Sequence, residues 1–144
     1  MADSTVVLTN NARVVGGVLS TTGNGLIRTP SSQDTELENL THSGTYVGEN
    51  NSDTRITGTI TNTGSITIAS TGNQTDLEVA VGGATLTGGG TVTLTGTFAG
   101  INDASGTQTL TIADQTIQGE GNIGRNTTDF NNQGNLIHAN VNGA

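Results

Sequence analysis

The chain is predicted to be all-β, a right-handed parallel β-helix (β-solenoid) of five to six coils with loop insertions at its corners. Three observations predict this. A short phrase recurs five times: a large apolar residue, three small or polar residues, a glycine, a spacer and a second apolar residue. Strand-like stretches alternate hydroxyl with aliphatic side chains, the period of two that puts one face inward and one outward. No window of helical length carries apolar residues at three- and four-residue spacing without glycine interruption, and aromatics make up only 2% of the chain. Repetition of one strand–corner–strand unit lets stacked coils share one core built from small aliphatics.

Taken in order, Thr5-Val-Val-Leu-Thr9 already reads as a strand. Arg28-Thr-Pro-Ser-Ser-Gln-Asp34 concentrates turn formers and reads as a corner insertion. An extended 35–39 follows, then the first copy of the phrase, Leu40-Thr-His-Ser-Gly44-Thr-Tyr46. After the insertion 48–53, Thr57-Gly-Thr-Ile-Thr61 leads into the second copy, Ile60-Thr-Asn-Thr-Gly64-Ser-Ile66. The insertion 70–76 precedes Leu77-Glu-Val79 and the third copy, Leu86-Thr-Gly-Gly-Gly90-Thr-Val92, which runs on into the strand Thr91-Val-Thr-Leu-Thr95. An insertion is expected at 100–106, a strand at Thr107-Gln-Thr-Leu-Thr-Ile112, and the fourth copy at Ile117-Gln-Gly-Glu-Gly121-Asn-Ile123. A last insertion at 124–129 leads to the fifth copy, Phe130-Asn-Asn-Gln-Gly134-Asn-Leu136, and to the strand-like His138-Ala-Asn-Val-Asn142.

Aligning these units predicts that Leu77 and Val79 are equivalent to Leu110 and Ile112, and Asn62–Ile66 to Asn132–Leu136. Gly134 then occupies a different corner from Gly121, because the spacing between them is the shortest. Each corner glycine is expected to supply a positive φ that β-branched neighbours adopt only with strain. The expected core is Val14, Val18, Leu26, Leu40, Ile56, Ile60, Ile66, Leu77, Val79, Leu86, Val92, Leu110, Ile112, Ile117, Ile123, Phe130 and Leu136, with threonines facing water.

The 144 residues make a single domain, 1–144, expected to be a segment of a longer array because neither end carries an obvious cap. Met-Ala-Asp-Ser has neither the basic nor the apolar region of a signal peptide, which implies either a cytoplasmic protein or an export signal lying upstream; the second is expected, because the chain enters and leaves in mid-pattern. With four arginines, no lysine and a net charge of −8, the chain lacks the cationic clusters that bind nucleic acid or an anionic membrane surface. No apolar stretch reaches membrane-spanning length. Cysteine is absent, which excludes disulfides and thiolate metal sites.

The runs Gly58-Thr-Ile-Thr-Asn-Thr-Gly-Ser-Ile66, Ala84-Thr-Leu-Thr-Gly-Gly-Gly-Thr-Val92, Thr116-Ile-Gln-Gly-Glu-Gly-Asn-Ile-Gly124 and Asn132-Gln-Gly-Asn-Leu-Ile-His-Ala-Asn140 resemble the repeats of very large bacterial surface proteins. These are the filamentous-haemagglutinin-like and autotransporter-passenger-like β-solenoids. The resemblance implies an extracellular, cell-surface adhesin stalk, a structural, non-catalytic rod; the uncapped end coils add neighbouring repeats or identical subunits stacked end to end as expected partners, with a surface glycan or receptor as a further one. Two alternatives stand beside it, a self-stacking filament subunit and a phage tail-fibre or tailspike segment that binds or cleaves polysaccharide.

No catalytic, cofactor-binding or metal-binding residue is assigned from the sequence. Gly88-Gly-Gly90 and Gly119-Glu-Gly121 lack the following helix and the lysine of a phosphate cradle. Glu36 with Glu38, and Asp76 with Glu78, share a face in an extended strand and are the pairs that two-carboxylate glycoside chemistry would use. Against that stand the few rings available for sugar stacking, Tyr46, Phe98 and Phe130. Acidic corners at Asp53, Asp103 and Asp129 leave weak, loop-bound calcium as the one cofactor to consider. His42 and His138 have no second ligand nearby and are expected on outward faces. The acceptor tripeptides at Asn39, Asn50, Asn73 and Asn126 are what an Asn- and Thr-rich chain produces by chance. The threonine runs at 57–63, 91–97 and 107–111 fall at uneven steps, unlike the regular grid of an ice-binding face.

Overall fold

A computed structural model describes residues 4–125 and 128–140. Its first winding is β1 (Thr5–Val7), β2 (Ala12–Val15) and β3 (Val18–Ser20); the second is β4 (Leu26–Thr29), β5 (Asp34–Glu38) and β6 (Thr41–Ser43). The third is β7 (Thr45–Gly48) and β8 (Asp53–Asn62), the fourth β9 (Ser65–Ala69) and β10 (Thr75–Thr87). The fifth is β11 (Thr91–Thr95), β12 (Ala99–Asp103) and β13 (Thr109–Ile112), the sixth β14 (Thr116–Gly119), β15 (Asn122–Arg125) and β16 (Asp129–Asn132), and β17 (Ile137–Ala139) begins another. Each strand pairs in parallel with its counterparts one winding away, so the molecule is a β-solenoid of about six turns. No helix occurs among the described residues, and none is therefore long and apolar enough to cross a membrane.

Three stacks of strands build the walls. The first runs β1-β4-β7-β9-β11-β14-β17 and the second β2-β5-β8-β10-β12-β15. The third is β3-β6 continued by the later halves of β8 and β10 and then by β13 and β16. Long β8 and β10 turn a corner without leaving the ladder; in β10 the register slips between Val79 and Ala84.

Side chains at equivalent positions lie over one another about 4.8 Å apart, the strand spacing of a sheet. The inward columns are Val6–Ile27–Tyr46–Ile66–Val92–Ile117–Ile137 in the first wall, Val14–Leu37–Ile56–Val79 in the second and Ile60–Leu86–Ile112 in the third. Of the expected core, Leu40, Ile56, Ile60, Ile66, Leu77, Val79, Leu86, Val92, Leu110, Ile112 and Ile117 are buried.

Three expected core residues point the other way. Val18 is 72% and Leu136 58% exposed, and Leu26 stands in the outward column of Thr45, Ser65 and Thr91. In each case the neighbour one residue on, Leu19, Ile137 or Ile27, takes the inward place, since a one-residue change of register reverses the face. Val14, Phe130 and Ile123 do point inward, but the end windings cover them incompletely. The core also takes in Ile27, Leu37, Tyr46, Ile68, Leu94, Ala99 and Ile101.

Two expected equivalences are corrected. Leu110 and Ile112 stack on Ala84 and Leu86, whereas Leu77 and Val79 are followed by Ile101 and Asp103. Asn132 stacks on Ile112, two residues out of step with the predicted alignment. The segment 100–106 is not an insertion over its first half, because β12 is buried along its whole length. Gly44, Gly64 and Gly90 do form one corner column, yet only Gly44 of the three has a positive φ. At the other two the requirement is closeness: a Cβ would lie 2.3 Å from the Gly44 carbonyl oxygen at Gly64 and 2.5 Å from that of Gly64 at Gly90. Gly121 lies elsewhere, a Cβ there meeting the Ala99 carbonyl oxygen at 2.5 Å.

Candidate functional site

The richest chemistry lies on the outer face of the second wall. The outward positions of β2, β5, β8, β10, β12 and β15 are Arg13, Glu36, Arg55, Glu78, Asn102 and Arg125, one per winding. Beside them a second column sets Asp34, Asp53 and Asp76 in successive windings, with Gly100 next. The two columns cross-link. Arg13 pairs with Glu36 and Glu38; Arg55 reaches Glu78 at 2.8 Å, Asp34 at 3.4 Å and Asp53 at 3.6 Å. Arg125 extends across Gly100, where a Cβ would sit 2.4 Å from its guanidinium, to reach Asp76 at 3.3 Å. Gln74 donates a further bond of 2.6 Å to Asp76. The remaining cation, Arg28, pairs with Glu49 at 2.6 Å, so each of the four arginines is committed to a carboxylate.

Crowded carboxylates with too few cations shift their protonation. Burial, reinforced by the charges of Asp53 and Asp76 and opposed by Arg55, raises the Glu78 pKa to about 7. Burial and the neighbouring Asp34 and Asp76 likewise push Asp53 up. Asn102, beside Glu78 in register, is buried and neither its amide nitrogen nor its amide oxygen has a hydrogen-bond partner.

A second polar group lies inside the solenoid. Tyr46 is fully buried, its hydroxyl 2.5 Å from Thr29 Oγ1 and 3.0 Å from Thr54 Oγ1, and the Thr29 hydroxyl donates to Thr35 at 2.7 Å. Burial raises the Tyr46 pKa. Gly48 makes room for this network, since a Cβ there would lie 3.0 Å from Thr54 Oγ1. Threonine is therefore not confined to the surface: Thr29, Thr35, Thr54 and Thr75 are all buried.

His42 is also inside, contrary to the expectation of an outward face. Its Nδ1 lies 2.8 Å from Asn62 Oδ1; Asn62 donates 2.7 Å to Gln115 Oε1, and Gln115 donates back 2.9 Å to the Asn62 carbonyl. Burial lowers the His42 pKa, which keeps the imidazole neutral at pH 7. His138 is exposed on β17.

The other sequence candidates scatter. Glu36 and Glu38 share an outward face as expected, and so do Asp76 and Glu78, but all four are held by arginines. Asp103 is buried while Asp129 is exposed, and among the described residues no group of three or more His, Cys, Asp or Glu is arranged to hold a metal ion. Gly88 and Gly90 abut the backbone of Asn62, and Gly119 that of Leu94. Asn50 accepts backbone bonds from Thr71 and Asn73, Asn39 from Thr59, and Asn73 is exposed; Asn126 lies outside the described residues. Thr59, Thr85 and Thr111 stack in register, as do Thr41, Thr61 and Thr87, so the uneven sequence steps conceal two threonine columns, each three windings long. The ladder and the buried hydroxyl group were missed by sequence reasoning; the signal for the ladder was the alternation Asp34-x-Glu36-x-Glu38 against Asp53-x-Arg55 and Asp76-x-Glu78.

Comparison with family models, with curated proteins and with solved structures finds no match to this chain.

Proposed function

We propose that this chain is a non-catalytic shaft segment of a large secreted or cell-surface bacterial protein, of the kind its repeats resemble. The supporting observation is the set of unbroken inward columns, above all Ile27–Tyr46–Ile66–Val92–Ile117, in which every winding buries its side chains on the next. Such stacking resists shear, because a winding moves only by breaking a row of backbone hydrogen bonds and a layer of core at once. The outer wall suits the same role: its carboxylates are held by arginines, and the ring that could stack on a sugar is the isolated Phe98, since Tyr46 is buried and Phe130 packs against the core.

Stretching the chain by its two ends in a force spectrometer tests the reading. The expected trace holds its length and then yields in steps of whole windings; smooth extension at low force would refute a load-bearing role. In parallel, release of reducing ends from a panel of polysaccharides is expected to be absent. Release that disappears in Glu78→Gln would replace the shaft reading with that of a polysaccharide-cleaving segment.

A further inference from the structure

The inward column of the first wall ends in exposed aliphatics, Val6 in the first winding and Ile137 in β17. We propose that copies of this chain stack head to tail, the first winding of one seated on the last winding of another, with Val6 over Ile137 and Leu8 over Ala139. The interface continues the one that already joins each winding to the next inside the chain.

Three features of the two ends fit each other. The first is side-chain size in the inward columns. Val6 heads the column that Ile137 closes. Leu8, one residue beyond Val7 and therefore over Thr29, heads the column that ends in Gly119 and Ala139. There a cavity of about 100 Å³, lined by Leu94, Ile117, Gly119, Ile123, Ile137 and Ala139, lies open among the described residues. Large Leu8 thus meets small Ala139.

The second is hydrogen-bond parity. Leu8 N–H donates to Arg28 and Leu26 N–H to Ser4, so in β1 the even residues face β4 and Val7 offers its N–H and C=O to the free edge. On β17, Asn140 N–H donates to Gly119 and Ile117 N–H to Leu136, which leaves Ile137 and Ala139 facing outward. Setting Val6 over Ile137 places the Val7 N–H against the Ile137 carbonyl and the Ala139 N–H against the Val7 carbonyl.

The third is direction. Every neighbour in the solenoid is parallel, and the two end faces differ, so the contact repeats without closing. One feature opposes it: Arg13 and Arg125 occupy the same outward column and come into adjacent windings at the junction. Association should therefore tighten as salt screens that pair.

Sedimentation velocity of the 144-residue chain from micromolar to millimolar concentration, with electron microscopy, tests the stacking. Open-ended oligomers that grow with concentration and with salt are expected. Val7→Pro removes an edge donor that β4 does not use, and Ala139→Arg fills the cavity from an exposed position; each should weaken association by at least about tenfold, 1.4 kcal/mol, with an unchanged circular dichroism spectrum and Tm. Each variant keeps one intact end, so an equimolar mixture of the two should form one-to-one dimers and stop there. A chain monomeric throughout, a closed dimer that grows no further, or oligomers unaffected by either variant would overturn the proposal. It rests on the solenoid fold rather than on the shaft reading, and a monomer that still bears load would separate the two.

Discussion

At the scale of single residues, the corner column shows why glycine identity is tighter than φ alone requires. Gly90 has an ordinary φ, yet any Cβ would press on the Gly64 and Asn62 carbonyl oxygens. Gly89 has φ +75° with nothing within 4 Å of a Cβ, a conformation asparagine tolerates. Chemical denaturation should therefore find Gly90→Ala destabilised by about 2 kcal/mol or more and Gly89→Asn by under about 1 kcal/mol; equal losses would refute the close-contact account. Glu78 carries a second prediction. Its pKa rises from the ordinary 4.5 to about 7 on folding, so the native state holds the extra proton, and this contribution to stability is full below pH 4.5 and lost as pH rises to 7. The loss should amount to about 1–3 kcal/mol and be missing in Glu78→Gln. His42 works in the opposite sense: its lowered pKa means that stability present above pH 6.5 is lost as pH falls. The difference between wild type and Glu78→Gln isolates the carboxyl. That the glycines mark corners was legible from their recurrence, whereas which neighbour of Leu26, Val18 and Leu136 faces inward was not, because adjacent apolar residues leave the parity of a strand open.

At the scale of elements, alternation made β9, β11 and β13 readable, each setting aliphatics against hydroxyls. It failed for β12, whose Ala-Gly-Ile-Asn-Asp looks like a loop and is buried throughout. Gly100 is covered by the Arg125 side chain and Asn102 lies beside Glu78, so partners distant in sequence enclose what composition would expose. The columns also rank their members by position. Ile56 lies between Leu37 and Val79, while Val14 ends the same column half-covered. Ile56→Ala should cost about 3 kcal/mol through transfer and cavity together, and Val14→Ala about 1 kcal/mol. Similar losses from urea titrations would show that the ends are as firmly packed as the middle.

At the scale of the molecule, windings in contact only with their neighbours make stability local. Amide exchange should be slowest in β8 and β10, which have paired strands on both sides and span two walls, and faster by local opening in β1, β3, β16 and β17; uniform protection from end to end would argue instead for one all-or-none unit. Under stacking of copies, protection of β1 and β17 should rise with concentration. The sequence by itself determined the class of fold, the corner glycines and most of the central core, because a period of two and a recurring phrase are properties of the chain read along its length. Only the tertiary structure decided which windings lie in register, and so brought Arg55 between Asp34, Asp53 and Glu78, enclosed Tyr46 among threonines and took His42 inside. Most of those contacts join residues some twenty positions apart through corner lengths that differ from winding to winding, and a register summed over unequal corners is fixed only when the core packs.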